Sequence, residues 1–197
     1  DIVVGERPLT IDEVVTVARG RAERGGAAYL GESVRVVISE GAWERVRASR
    51  NVIEDLAHDT VAHYGVSTGF GALATRHIPV EKRKQLQRSL IRSHAAGSGP
   101  EVEREVVRAL MLLRIQTLAT GRTGVREGTL AAYVAMLNAG ITPVVREYGS
   151  LGCSGDLAPL AHCALALMGE GMVRDACGEL GSAADALAVA GIEPVEY

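Results

Sequence analysis

The stretch EYGSLGCSGDLAPLAH, Glu147 to His162, sets three glycines in seven residues around Ser154 and then runs into an apolar segment. A serine so placed admits three readings: a turn residue, a hydrolase nucleophile, or a residue that the backbone itself transforms. The nucleophile elbow of hydrolases is G-x-S-x-G after a strand. Here the order is Gly152-Cys153-Ser154-Gly155, one residue short. The preceding ITPVVREYGSLG lacks the pattern of a buried strand. His162 lies in an apolar helical stretch, where a histidine reads as a hydrogen-bonded core residue. The third reading is backbone chemistry. With Cys153-Ser154-Gly155 in a tight turn, the amide nitrogen of Gly155 attacks the carbonyl carbon of Cys153, and loss of water closes a five-membered ring. Loss of a second water across Cα–Cβ of Ser154 leaves an exocyclic methylidene conjugated with the ring, which is an electrophile. Gly155 gives steric access, Ser154 the leaving hydroxyl, and Cys153 only its carbonyl. The surrounding structure must hold the strain, and the helix downstream is placed to do so. Asp156 is positioned to cap that helix with its side chain near the free amides and to help ring closure.

Two further segments carry chemistry. YGVSTGFG, Tyr64 to Gly71, holds three glycines and must be a loop. It follows a helix rather than a strand, which argues against a dinucleotide-binding turn. Tyr64 reads either as a tyrosine packing that loop on the core or as a general base, a role that needs a site favouring the phenolate. LQRSLIRSHAAGSG, Leu86 to Gly99, presents His94 at a helix end. That histidine either stabilises the helix terminus or hydrogen-bonds a substrate imidazole or phenol. His58, His63 and His77 have no metal-ligand partner at useful spacing and read as structural or surface residues.

Together the three segments resemble the aromatic amino acid ammonia-lyases and aminomutases. That family builds 4-methylideneimidazol-5-one (MIO) from a small residue, serine and glycine. GSLGCSGDLAPLAH is similar to its prosthetic-group motif, with Cys153 where alanine is commonest. YGVSTGFG is similar to the family's YGxNTGFG, departing at Ser67. The block around His94 looks like the segment that recognises the substrate side chain. The resemblance implies MIO from Cys153-Ser154-Gly155, Tyr64 as the base that removes a β-proton, His94 as a substrate-binding residue, and no metal. The SH pair, Ser93-His94, points to the histidine ammonia-lyase type, L-histidine to urocanate and ammonia; tyrosine aminomutases share the pattern. Family members are cytoplasmic homotetramers with active sites completed by neighbouring subunits, and are more than twice as long. On that reading residues 1–197 are an N-terminal MIO-bearing domain lacking the helical remainder, with little or no lyase activity alone and a tripeptide that can remain uncyclised. The alternative of another class is an inactive helical fragment in which Ser154 is a turn serine.

The elements that must position these residues are mainly helical. Thr10 with Glu13 forms a capping box opening a helix that stops at Gly20, and SVRVVIS, 33–39, is a short strand. Helical spacing recurs from Gly41 to about His63 and from Val80 to Ala96. It returns in GSGPEVEREVVRALMLLRIQTLATG, with Pro100 near the first turn and Gly121 as the stop. A further helix spans about Val125 to Asn138. LAPLAHCALALMGEG is helical and apolar enough on its first turns to be buried, and VRDACGELGSAADALAVAGIEPVEY gives a hairpin-like or loop region, then a short helix. The fold class is therefore mainly α, with glycine-rich active-site loops and a few short strands.

Bulk composition narrows the function further. A formal net charge of −3 gives no electrostatic case for nucleic acid or an anionic membrane. Aromatics at 4% argue against base-stacking platforms. Three cysteines without CxxC spacing argue against a disulfide framework or a zinc site and suit a reducing cytosol. No apolar run reaches membrane-spanning length, and DIVVGERPLT lacks the layout of a secretory signal. The implied partner is a small amino acid.

Overall fold

The computed structural model describes residues 1–20, 34–153 and 155–197, so Ser154 and the first residue of the expected 33–39 strand lie outside the described residues. Side-chain caps open three of the helices, those that follow Thr10, Ser39 and Ser182. β1 (Ile2–Val4) pairs in parallel with β2 (Val36–Ile38), the strand expected within 33–39. α1 (Ile11–Arg19) starts at the Thr10 capping box: Thr10 Oγ1 accepts from Glu13 N–H, and the Glu13 carboxylate accepts from Thr10 N–H. α2 (Glu40–His58) is opened by Ser39, whose hydroxyl accepts from Ala42 N–H at 3.2 Å. It stops short of His63, because Asp59 leaves the helical region and its carboxylate binds Val61 N–H and the His63 ring.

The Gly65–Gly71 loop leads through a single 3-10 turn, Gly71–Leu73, into α3 (Val80–His94). Pro100 is then a correction: it sits in β3 (Ser98–Glu101), and the helix begins later, as α4 (Arg104–Ala119). The reason is a strand pairing invisible to local spacing. β3 pairs antiparallel with β5 (Arg146–Tyr148), drawn from the segment that lacked a strand pattern. α5 (Glu127–Asn138) follows α4, and β4 (Thr142–Pro143) then joins β6 (Met172–Arg174) and β7 (Leu180–Ser182) in a three-stranded antiparallel sheet. α6 (Leu157–Leu167) precedes that hairpin; its burial begins at Pro159, whereas Leu157 is exposed, so the first turn is less covered than expected. α7 (Ala183–Ala190) is opened by Ser182, which accepts from Asp185 N–H, and closed by Gly191 at φ +68°. A left-handed residue there is the usual glycine helix stop.

α4 is the central element. Val107, Met111, Leu112, Ile115, Leu118 and Ala119 are buried against α1, α2 and α5, and the core continues through Leu130, Met136 and Leu137 of α5 to Leu167 and Leu187. Each such aliphatic side chain contributes roughly 1.5–3 kcal/mol on burial. Arg108 is fully enclosed among them. Its guanidinium donates to Val17 O at 2.9 and 3.1 Å and to Leu137 O at 3.0 Å, fastening the carbonyl ends of α1 and α5 to α4. Burial, with Arg104 adding, pushes its pKa down to about 10, so it stays charged at neutral pH.

Candidate functional site

α3 packs on α6, and this contact brings two of the three chemically marked segments together. His94 is the last residue of α3 and is half-buried; its Nδ1 lies 2.8 Å from Leu90 O. A carbonyl can only accept, so Nδ1 carries the proton and donates. The same nitrogen is 3.0 Å from Ser93 Oγ, which itself donates to Leu90 O. In the neutral ring Nε2 of His94 is then the acceptor. Beyond it the chain turns sharply: Ala95 N–H donates to Ile91 O, Ala96 N–H to His94 O, and Gly97 N–H to His162 Nε2 on α6. Burial, and secondly Arg146, hold His162 below its ordinary value of 6.5, consistent with a neutral ring accepting at Nε2. The expected hydrogen bond of His162 is present, but the ring is half-buried and not part of the core. What local spacing could not show is its partner, 65 residues away.

The glycine-rich loop before α6 is drawn into a bracket. Ser150 Oγ donates to Asp156 Oδ2 in a short hydrogen bond, Leu151 N–H donates to Asp156 Oδ1 at 3.0 Å, and Gly152 N–H to Ser150 Oγ at 3.2 Å. These bonds, Ser150 first, hold the Asp156 carboxyl below its ordinary range. Asp156 does occupy the N-cap position of α6, but its side chain makes no capping bond. The capping expectation is corrected. The carboxylate serves the loop instead, because the hydroxyl and amide of Ser150 and Leu151 compete successfully for its oxygens. Cys153 is exposed, and Gly155 stands at φ +71° with open space where a Cβ would be. Ser154, the expected electrophile precursor, lies outside the described residues. Its neighbours fit an internal ring: a bracket ties residue 150 to 156, and Gly155 adopts a conformation that L side chains rarely take. Among the described residues no group of His, Cys, Asp and Glu could hold a metal ion.

Tyr64 belongs to a separately built loop. Its hydroxyl accepts from Gly71 N–H at 3.3 Å, and its exposed ring meets Phe70 edge-on, centroids 5.8 Å apart. Beneath it Ser67 and Thr68 are buried. Ser67 Oγ accepts from His63 N–H at 2.8 Å, and Thr68 Oγ1 accepts from Gly65 N–H while donating to Gly69 O. Ser67, read only as a departure from a motif, is thus a structural pin of the loop; no sequence spacing signals that hydrogen bond.

Comparison with known proteins agrees with this layout. Residues 9–197 match the model of the aromatic amino acid lyase family. Histidine ammonia-lyase of Streptomyces griseus is 55% identical over 195 residues, which is 99% of this chain and 36% of that protein. A solved structure of histidine ammonia-lyase from Trypanosoma cruzi superposes with a TM-score of 0.86 at 30% identity, over 100% of this chain and 36% of the other. Tyrosine aminomutase from Streptomyces globisporus superposes at 0.84 with 36% identity, over 100% and 34%. The chain therefore spans about a third of the length of these relatives.

Proposed function

Because the chain belongs to the aromatic amino acid lyase family, we propose that it is the ring-forming part of an ammonia-lyase converting L-histidine to urocanate and ammonia. The observation that carries this reading is the fastening of the His94 turn to the helix that follows Cys153-Ser154-Gly155. One segment binds the substrate ring while its neighbour presents the reacting group. The MIO ring would come from Cys153-Ser154-Gly155, with Gly155 N–H as attacking nitrogen and Ser154 as source of the methylidene; it supplies an electrophile for the substrate α-amine. His94 Nε2, an acceptor, pairs with an imidazole N–H. Tyr64 is the general base for the β-proton, held by its loop with its phenolic ring exposed. The Ser150–Asp156 bracket ties together the residues that flank the tripeptide. No metal takes part. We place the full-length protein in the cytoplasm as a homotetramer. Among the described residues no helix is long and apolar enough to cross a membrane.

A histidine substrate is supported by the 55% identity to a histidine ammonia-lyase. A second reading, an aminomutase acting on tyrosine, is supported by the likeness to tyrosine aminomutase and by an acceptor at His94 that suits a phenol equally. Intact mass and peptide mapping across 147–162 of the full-length protein test the chemistry. The expected result is loss of two waters confined to residues 153–155, abolished in Ser154→Ala. A substrate panel then separates the readings: urocanate and free ammonia from L-histidine support the lyase, and β-tyrosine from tyrosine supports the mutase. An unmodified tripeptide in the full-length protein would sink both.

A further inference from the structure

We propose that His162 is a positioning residue for the substrate-binding turn. It fixes His94 relative to the Cys153–Gly155 loop through the Gly97 N–H···Nε2 hydrogen bond of 3.1 Å. The inference rests on the reading of His94 as a substrate-binding residue. The bond's place in the chain carries it. Of the three successive amides that shape the turn after His94, those of Ala95 and Ala96 are taken by carbonyls of the same segment, Ile91 and His94. The third, Gly97, reaches across to α6, three residues from His94 on one side and eight from Ser154 on the other.

The surrounding space admits little adjustment. A Cβ built on Gly97 would stand 3.1 Å from His162 Nε2 and 3.2 Å from Arg146 Cβ. One on Gly149, at the start of the ring-forming loop, would stand 3.1 Å from Gly97 Cα and 3.0 Å from Ala158 Cβ. The two loops are thus in close contact through paired glycines, and His162 adds a side-chain link next to the β3–β5 pairing of Ser98 with Tyr148. Gly97 is not in the left-handed region, so an alanine there meets a crowding penalty without backbone strain. That makes Gly97→Ala a probe of the same contact from the opposite side.

The neutral state of His162 follows from its surroundings. Burial lowers its proton affinity first and Arg146 second, leaving the Nε2 lone pair available. Leucine at 162 keeps the apolar volume but strands the Gly97 N–H. Glutamine keeps an acceptor oxygen at similar reach.

The test compares His162→Leu, His162→Gln and Gly97→Ala in the full-length protein. L-Histidine kinetics, peptide mass at 153–155 and hydrogen exchange at the Gly97 amide are the readouts. His162→Leu should raise KM for L-histidine by about tenfold, the upper end for one lost hydrogen bond, with the two-water loss intact and Gly97 exchanging faster. His162→Gln should return KM to within about threefold of wild type and restore protection. Gly97→Ala should shift KM in the same direction as His162→Leu. A role limited to folding predicts lower thermal stability and faster exchange at Gly97 with unchanged KM in His162→Leu; unchanged KM overturns the inference, as does unchanged exchange at Gly97, which would show that the bond is absent. Failure of the functional reading looks different. The wild type would then show neither two-water loss nor ammonia release, while the exchange comparison at Gly97 still reveals whether the link exists.

Discussion

Helices α3 and α4 are nearly equal in length, 15 and 16 residues, yet they are held in opposite ways. α4 buries seven side chains, one of them the charged Arg108, and touches α1, α2 and α5. α3 buries none; Leu86, Leu90 and Ile91 are half-covered, Val80 is exposed, and the other residues are polar or charged. Beyond its packing on α6 it is secured by polar bonds. Arg83 donates to Ala57 O and Ile78 O near the start, Arg92 pairs with Glu170 at 2.7 Å, and His162 takes the amide of Gly97 just past the end. The helix that specifies the fold is thus distinct from the helix that presents His94. Segments with few buried contacts open at lower free-energy cost. A site fastened by a few hydrogen bonds can therefore be retuned without unsettling the core.

The most forceful way to break this contrast is to truncate one leucine in each helix. Leu112→Ala in α4 leaves a cavity where nothing is free to collapse and should cost roughly 2–5 kcal/mol. Leu86→Ala in α3 removes a half-exposed side chain and should cost about 1 kcal/mol or less. Urea unfolding of the two variants measures both, and equal losses would show that α3 is as deeply anchored as α4. The converse asymmetry belongs to activity. Tyr64→Phe removes only an acceptor for the exposed Gly71 N–H, which water can replace, so stability should change by about 0.5 kcal/mol or less. Turnover of the full-length protein should fall about a hundredfold or more, the scale of a lost general base. A variant that keeps full turnover would return Tyr64 to the role of a loop-packing residue.

The same contrast explains what the sequence made legible. The helix opened by a local device, α1 behind Thr10 and Glu13, is found to the residue, whereas α4, which has no side-chain cap, is found by its apolar periodicity with its start misplaced at Pro100 instead of Arg104. The glycine-rich segments that mark the site are equally plain, because Gly65, Gly71, Gly152 and Gly155 all take positive φ. Pairings between distant segments stay hidden. β3 and β5 carry neither alternation nor β-branched runs, being SGPE and REY, and pair through backbone groups that any sequence possesses. The Asp156 carboxylate had two competing sets of donors in the neighbouring chain, and only the folded loop decides that the Ser150 hydroxyl and the Leu151 amide win over the first turn of α6. The link from His162 to Gly97 is of the same kind.

The smallest effect sharpens the contrast at the helix starts. α1, which packs against α4, opens with a complete capping box, whereas α3 opens at Pro79 with no side-chain cap. In the box the hydrogen bonds from Arg7, at 2.6 and 2.9 Å, and then the amide of Thr10 lower the Glu13 carboxyl from 4.5 to about 2. The folded state therefore binds this proton less readily than the unfolded chain, where Glu13 titrates near 4.5. Stability from the box is complete above pH 4.5 and is lost progressively as pH falls from there towards 2. Glu13→Gln should remove this part of the acid sensitivity while lowering stability slightly at neutral pH, since the amide can still accept from Thr10 N–H but gives up its charge to Arg7. Thermal unfolding of the two proteins between pH 5 and about pH 2 compares the slopes. Parallel curves would mean that Glu13 is as loosely held as the uncapped start of α3, and that the α1–α4 pair draws its order from packing alone.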